Sequence, residues 1–93
     1  MNAREFYVLE AVNIATTRYK RKGHYEATAA QIAEVLNTDE RIGCPFFPLT
    51  SLQVGATLRQ LARDWPARRS PLVERVDTRR WRLSSAGLEV LSA

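Results

Sequence analysis

Apolar residues recur at helical spacing through the first segment, where Val8, Val12, Ala15 and Tyr19 line one face with Phe6 and Leu9 beside them. Neither proline nor glycine interrupts it, and Arg18, Lys20, Arg21 and Lys22 place cations where helix carbonyls point outward. The pattern predicts a helix over about 3–22, with Gly23 as its left-handed C-cap. A second helix is expected over about 28–37. There Thr28 and Gln31 have the spacing of a capping box, Ala29, Ile32, Ala33 and Leu36 share a face, and Asn37 is the terminator. The third, over about 50–65, has the clearest start signal. Thr50 and Gln53 repeat the capping box, and Leu49 and Val54 occupy the two positions of a hydrophobic staple. Val54, Leu58, Leu61 and Trp65 form its apolar stripe, and Pro66 stops it. Ala56, Arg59 and Arg63, flanked by Gln60, lie on the opposite side.

After Pro71 the period shortens to that of a strand. Leu72 to Val76 and Arg80 to Leu83 read as a hairpin over about 72–83, joined through Asp77, Thr78 and Arg79. Trp81 and Leu83 are expected inward, in one core with Val54, Leu58 and Leu61, while Arg80 and Arg82 face out. Residues 84–93 (SSAGLEVLSA) add a short helical turn, with Leu88 and Leu91 packing back. The expected fold is α+β and mainly helical: one domain over residues 1–93, three helices and a C-terminal β-hairpin.

Charge sharpens this picture. The chain of 93 residues carries a net +4. Residues 1–47 hold six basic and six acidic side chains, whereas residues 48–93 hold eight basic against four acidic, and all eight are arginine. Arginine's planar fork suits phosphates and guanine edges better than lysine's point charge, so the C-terminal half points to an anionic partner, nucleic acid first. One cysteine excludes an internal disulfide, and one histidine beside it cannot complete a four-ligand zinc site, so neither metal nor cofactor is expected. The N-terminal residues lack a secretory signature and no apolar run approaches a membrane span, which leads to the expectation of a cytoplasmic protein with no membrane partner. There is no phosphate-cradling glycine loop, no His-Glu-x-x-His and no nucleophile with an evident base, so no enzyme is expected.

The residues 28–36 (TAAQIAEVL), 54–62 (VGATLRQLA) and 72–91 (LVERVDTRRWRLSSAGLEVL) together resemble the winged helix-turn-helix family of DNA-binding domains. The likeness covers almost the whole chain. Its wing is matched by Val73, Arg75, Trp81, Leu83, Ser84, Gly87 and Leu91. Two features depart from the family. About twelve residues, 38–49 (TDERIGCPFFPL), stand where the family has a tight turn, and 65–71 (WPARRSP) replace the usual glycine before the wing. Both border the face that would meet DNA, and either enlarge that contact or block it.

The resemblance implies that the third helix enters the major groove. It then carries Arg59 toward guanine, Gln60 toward adenine, Arg63 beside them, and Ser51 near the phosphates. Gln53 lies on the same side, although the capping box competes for its amide. Ala56 permits close approach. Arg79 and Arg80 at the wing tip, with Arg82 on the same strand, would hold phosphates or enter the minor groove, unless Glu74 and Asp77 neutralise them internally. Arg68 and Arg69 sit on a proline-bounded loop as either phosphate contacts or a solvated linker. In Cys44-Pro45-Phe46-Phe47-Pro48, the phenylalanines Phe46 and Phe47 either close the core or form a contact patch for another protein. The implied function is a small bacterial or phage transcriptional regulator that binds specific double-stranded DNA as a homodimer, with no ligand domain. The dimer surface is expected on the exposed side of the first helix or on the Phe46-Phe47 loop. The alternative is a protein-protein interaction module, or a small phage-encoded inhibitor, using the basic face or the 44–48 loop.

Overall fold

The computed structural model describes residues 1–43, 45, 48–63 and 70–92. Among them it contains helices α1 (Ala3–Arg18), α2 (Ala29–Thr38), α3 (Ser51–Leu61) and α4 (Ser85–Ser92). The strands are β1 (Ala27–Thr28), β2 (Val73–Arg75) and β3 (Arg80–Leu83). The strands form one antiparallel sheet in the order β1-β3-β2, so a strand lying between the first two helices pairs with the far half of the hairpin. The protein is therefore a small, mainly helical α+β fold.

Both helix starts expected from capping boxes are present. In α2 the Thr28 hydroxyl accepts from the Gln31 amide while the Gln31 side chain accepts from the Thr28 amide, and Thr50 and Gln53 repeat this in α3. A third box, Asn2 with Glu5, opens α1. Each satisfies amides that the first helical turn leaves without partners.

The core joins Val8, Leu9 and Val12 of α1 to Ile32 and Val35 of α2 and to Val54, Leu58 and Leu61 of α3, with Val73 and Trp81 closing it from the sheet. Leu83 is half-buried against this cluster, as is Leu91, but Leu88 faces solvent rather than packing back. The α4 helix is eight residues long, and within it Gly87, not Leu88, packs against Leu72 and Leu83. A Cβ at Gly87 would collide with the Leu72 carbonyl, and Ser84 fixes the approach. Its hydroxyl donates to the Pro71 carbonyl at 2.6 Å and accepts from the Gly87 amide at 3.0 Å.

The first helix stops at Arg18, four residues earlier than expected. Gly23 is left-handed, at φ 81°, but as part of a tight turn in which Lys22 is also left-handed (φ 49°), not as a helix cap. Arg21 and His24 exchange both backbone hydrogen bonds around that turn. The reversal brings Ala27 and Thr28 alongside β3, and Thr16 and Thr17, whose hydroxyls bond carbonyls of the preceding turn, weaken the last helical turn. The third helix likewise ends at Leu61 rather than near residue 65, with Ala62 as its cap. The remaining expected positions, Trp65 and Pro66 among them, lie outside the described residues.

The long connection between α2 and α3 is tied at both ends. At its start Asp39 takes Arg41 in a two-point bond (2.7 and 3.0 Å) and also holds Arg18 of α1 at 3.0 Å. The Arg41 guanidinium and amide, with Arg18, keep the Asp39 carboxyl far below the usual carboxylate range. At its end the Asn37 amide both donates to the Leu49 carbonyl and accepts from the Leu49 amide. Asn37 thus acts less as a helix terminator than as the clasp that sets α3 against α2.

Candidate functional site

Helix α3 buries Val54, Leu58 and Leu61, which turns Leu52, Ala56 and Arg59 outward, since all three lie about 140–200° around the axis from Val54. The hairpin rises beside this face. Strand alternation puts Arg75 on the same side of the sheet as Trp81, its cross-strand partner, while Glu74, Arg80 and Arg82 share the other side. Between α3, the start of α2 and the hairpin lies an open cleft of about 430 Å³. Ser51, Leu52, Gly55 and Arg59 line it from α3, Thr28, Ala29 and Ala30 from β1 and α2, and Arg75, Thr78, Arg79 and Trp81 from the hairpin. Three arginines face this space, and no acidic side chain lines it among the described residues.

The arginines are held differently. Arg75 lies over the Trp81 ring at 5.3 Å and donates to the Thr78 carbonyl at 3.0 Å, which fixes its guanidinium at the cleft wall. Arg79 is placed by its backbone: its amide and that of Arg80 both donate to an Asp77 carboxylate oxygen, at 2.8 and 2.9 Å. The Arg79 amide is the strongest influence on Asp77, and with the Arg80 amide and guanidinium it outweighs partial desolvation and holds the carboxyl below its ordinary range. Arg59 and Arg79 make no ion pair among the described residues.

The site residues expected from sequence are thus divided. Ser51, Arg59 and Arg79 meet in the cleft. Gln53 is committed to the helix cap, its side-chain carbonyl bonded to the Thr50 amide at 2.9 Å. Gln60 and Arg63 are exposed further along, outside the cleft lining. Arg80 pairs with Asp77 at 3.4 Å and Arg82 with Glu74 at 2.8 Å, so the outer hairpin face is neutralised from within. Phe46, Phe47, Arg68 and Arg69 lie outside the described residues.

Sequence reasoning missed Arg75 and Leu52. Both were legible: Arg75 by counting two residues along the strand from Val73, and Leu52 by its position opposite Val54 on the helix. Among the described residues no group of three or more histidine, cysteine, aspartate or glutamate side chains is placed to hold a metal, and no helix is long and apolar enough to cross a membrane. No protein-family model, no curated protein and no solved structure matches the chain.

Proposed function

We propose that this chain is a winged helix-turn-helix protein that binds specific double-stranded DNA, a small transcriptional regulator working as a homodimer on paired half-sites. The observation that carries the reading is the cleft in which Arg59 of α3 meets Arg75 and Arg79 of the hairpin with no acidic lining residue. Three cations that line one cleft with no acidic side chain between them repel one another, and a phosphate backbone relieves that repulsion. The sheet order β1-β3-β2, with β1 between α1 and α2, supports the winged-helix assignment. In this reading α3 lies in the major groove, Arg59 takes a guanine edge, Ser51 lies near phosphate, and the hairpin tip holds backbone through Arg79.

The test is selection of bound sequences from random duplexes, followed by affinity titration at several salt concentrations. Binding whose logarithm falls linearly with log salt is expected. Arg59→Ala is expected to cost about 1–3 kcal/mol on the selected sequence and little on a scrambled one. A folded protein that shows no salt-dependent binding to any duplex overturns the proposal.

The pairing of Arg80 with Asp77 and of Arg82 with Glu74 favours a second reading, a protein-interaction module, because it removes two of the expected phosphate contacts. Co-purification with one protein partner, in the absence of duplex binding, is its signature.

A further inference from the structure

Leu52 is 83% exposed, more than any other large apolar side chain among the described residues, although it stands in the first turn of a well-packed helix. The cleft it lines holds Ala29, Ala30 and Trp81 together with three cations. Arg59 shares the Leu52 wall of the cleft and Arg75 and Arg79 line the hairpin side, so an apolar protein surface pressed against Leu52 would desolvate three cations without pairing them. A partner that carries dense negative charge and also presents a small apolar group fits both features. The major groove of DNA does so: phosphates border it, and the one apolar group on its base edges is the thymine C5-methyl.

Gly55 adds an independent observation. It lies in the interior of α3, where glycine is less stable than alanine, yet a Cβ there would meet only Arg59 Nη1, at an ordinary 3.6 Å. Internal packing therefore does not require glycine. Gly55 is buried where it borders the cleft next to Leu52, and its missing side chain lets the Arg59 guanidinium lie close against the helix beside Leu52.

We propose that Leu52 is a specificity-determining residue that packs on a thymine methyl in the major groove. This rests on the DNA-binding reading above. Leu52 and Arg59 are seven residues apart on one face, about 10 Å along the helix. A thymine under Leu52 and a guanine under Arg59 therefore lie about three base-pair steps apart.

The experiment replaces each thymine of the selected site, one at a time, by deoxyuridine, which removes the methyl and leaves base pairing intact. Wild-type protein is expected to bind one substituted duplex about three- to fivefold more weakly, the size of one buried methyl group. Leu52→Ala, on a largely exposed position, is expected to keep the fold by circular dichroism, to lose affinity, and to bind the thymine and deoxyuridine duplexes equally. Salt-dependent, sequence-selective binding with no deoxyuridine-sensitive position overturns the Leu52 assignment and leaves the DNA-binding reading standing. An unchanged deoxyuridine effect in Leu52→Ala also overturns it, as does a Leu52→Ala variant that loses self-association while keeping that effect. Absence of any duplex binding overturns both.

Discussion

The two faces of the β2–β3 hairpin carry the same residue type to opposite ends. On the outer face Arg82 stands across from Glu74 and Arg80 reaches back to Asp77, so each cation has a carboxylate within 3.4 Å. On the cleft face Arg75 lies over an indole and Arg79 projects from the turn, with no carboxylate among the described residues that line the cleft. A count of arginines treats these positions as equal. Only the pairing separates cations that are already neutralised from those that remain available to an anion, and the difference follows from strand alternation together with one Asx-type turn at Asp77.

The largest expected effect comes from the residue that ties the cleft face to the core. Trp81 is buried and carries Arg75 on its ring, so Trp81→Ala should destabilise by about 3–5 kcal/mol in chemical denaturation. A loss below about 1 kcal/mol would mean that the hairpin is held by something else. Next, Arg75→Ala with Arg79→Ala should flatten the slope of log affinity against log salt by up to about two units, one for each lost phosphate contact. The matching outer-face pair, Arg80→Ala with Arg82→Ala, should change that slope by less than about half a unit. Equal slopes for the two double variants would erase the distinction between the faces.

Glu74→Gln probes the outer face alone. The pair it breaks is exposed, so the stability change should stay within about 0.2–1 kcal/mol in denaturant titration, while the freed Arg82 steepens the salt dependence of duplex binding. The smallest effect is local and pH-dependent. The Asp77 carboxyl titrates lower in the folded chain than in the unfolded one, so its contribution is present above about pH 4 and is lost as pH falls from there. The Arg79 and Arg80 amide resonances should move together in that acid range, and Asp77→Asn should suppress the movement. Asp39, lowered further by Arg41 and Arg18, should keep its clasp to more acidic pH than the hairpin turn keeps its own.

The helix starts were legible because a capping box is a local device: Thr28 with Gln31 and Thr50 with Gln53 need only three residues of spacing to satisfy their amides. The α3 stripe and the alternation at Trp81 were legible for the same reason. Helix ends were not. Lys22 and Gly23 carry a plausible C-cap pattern, but the need to lay β1 against β3 turns them into a reversal instead. The candidate site was half legible. Ser51, Arg59 and Arg79 were identified and come together, whereas Gln53, Arg80 and Arg82 were identified and are occupied by partners within the chain.

Sequence by itself determined the mainly helical α+β class, the apolar stripes that build the core and the excess of arginine in the C-terminal half, since each depends on period or composition. Tertiary structure alone decided which arginines face one another across a cleft and which meet a carboxylate. That choice depends on strand register and on the placement of α3 against the hairpin, and those are set by non-local contacts such as Asn37 on Leu49 and Ser84 on Pro71.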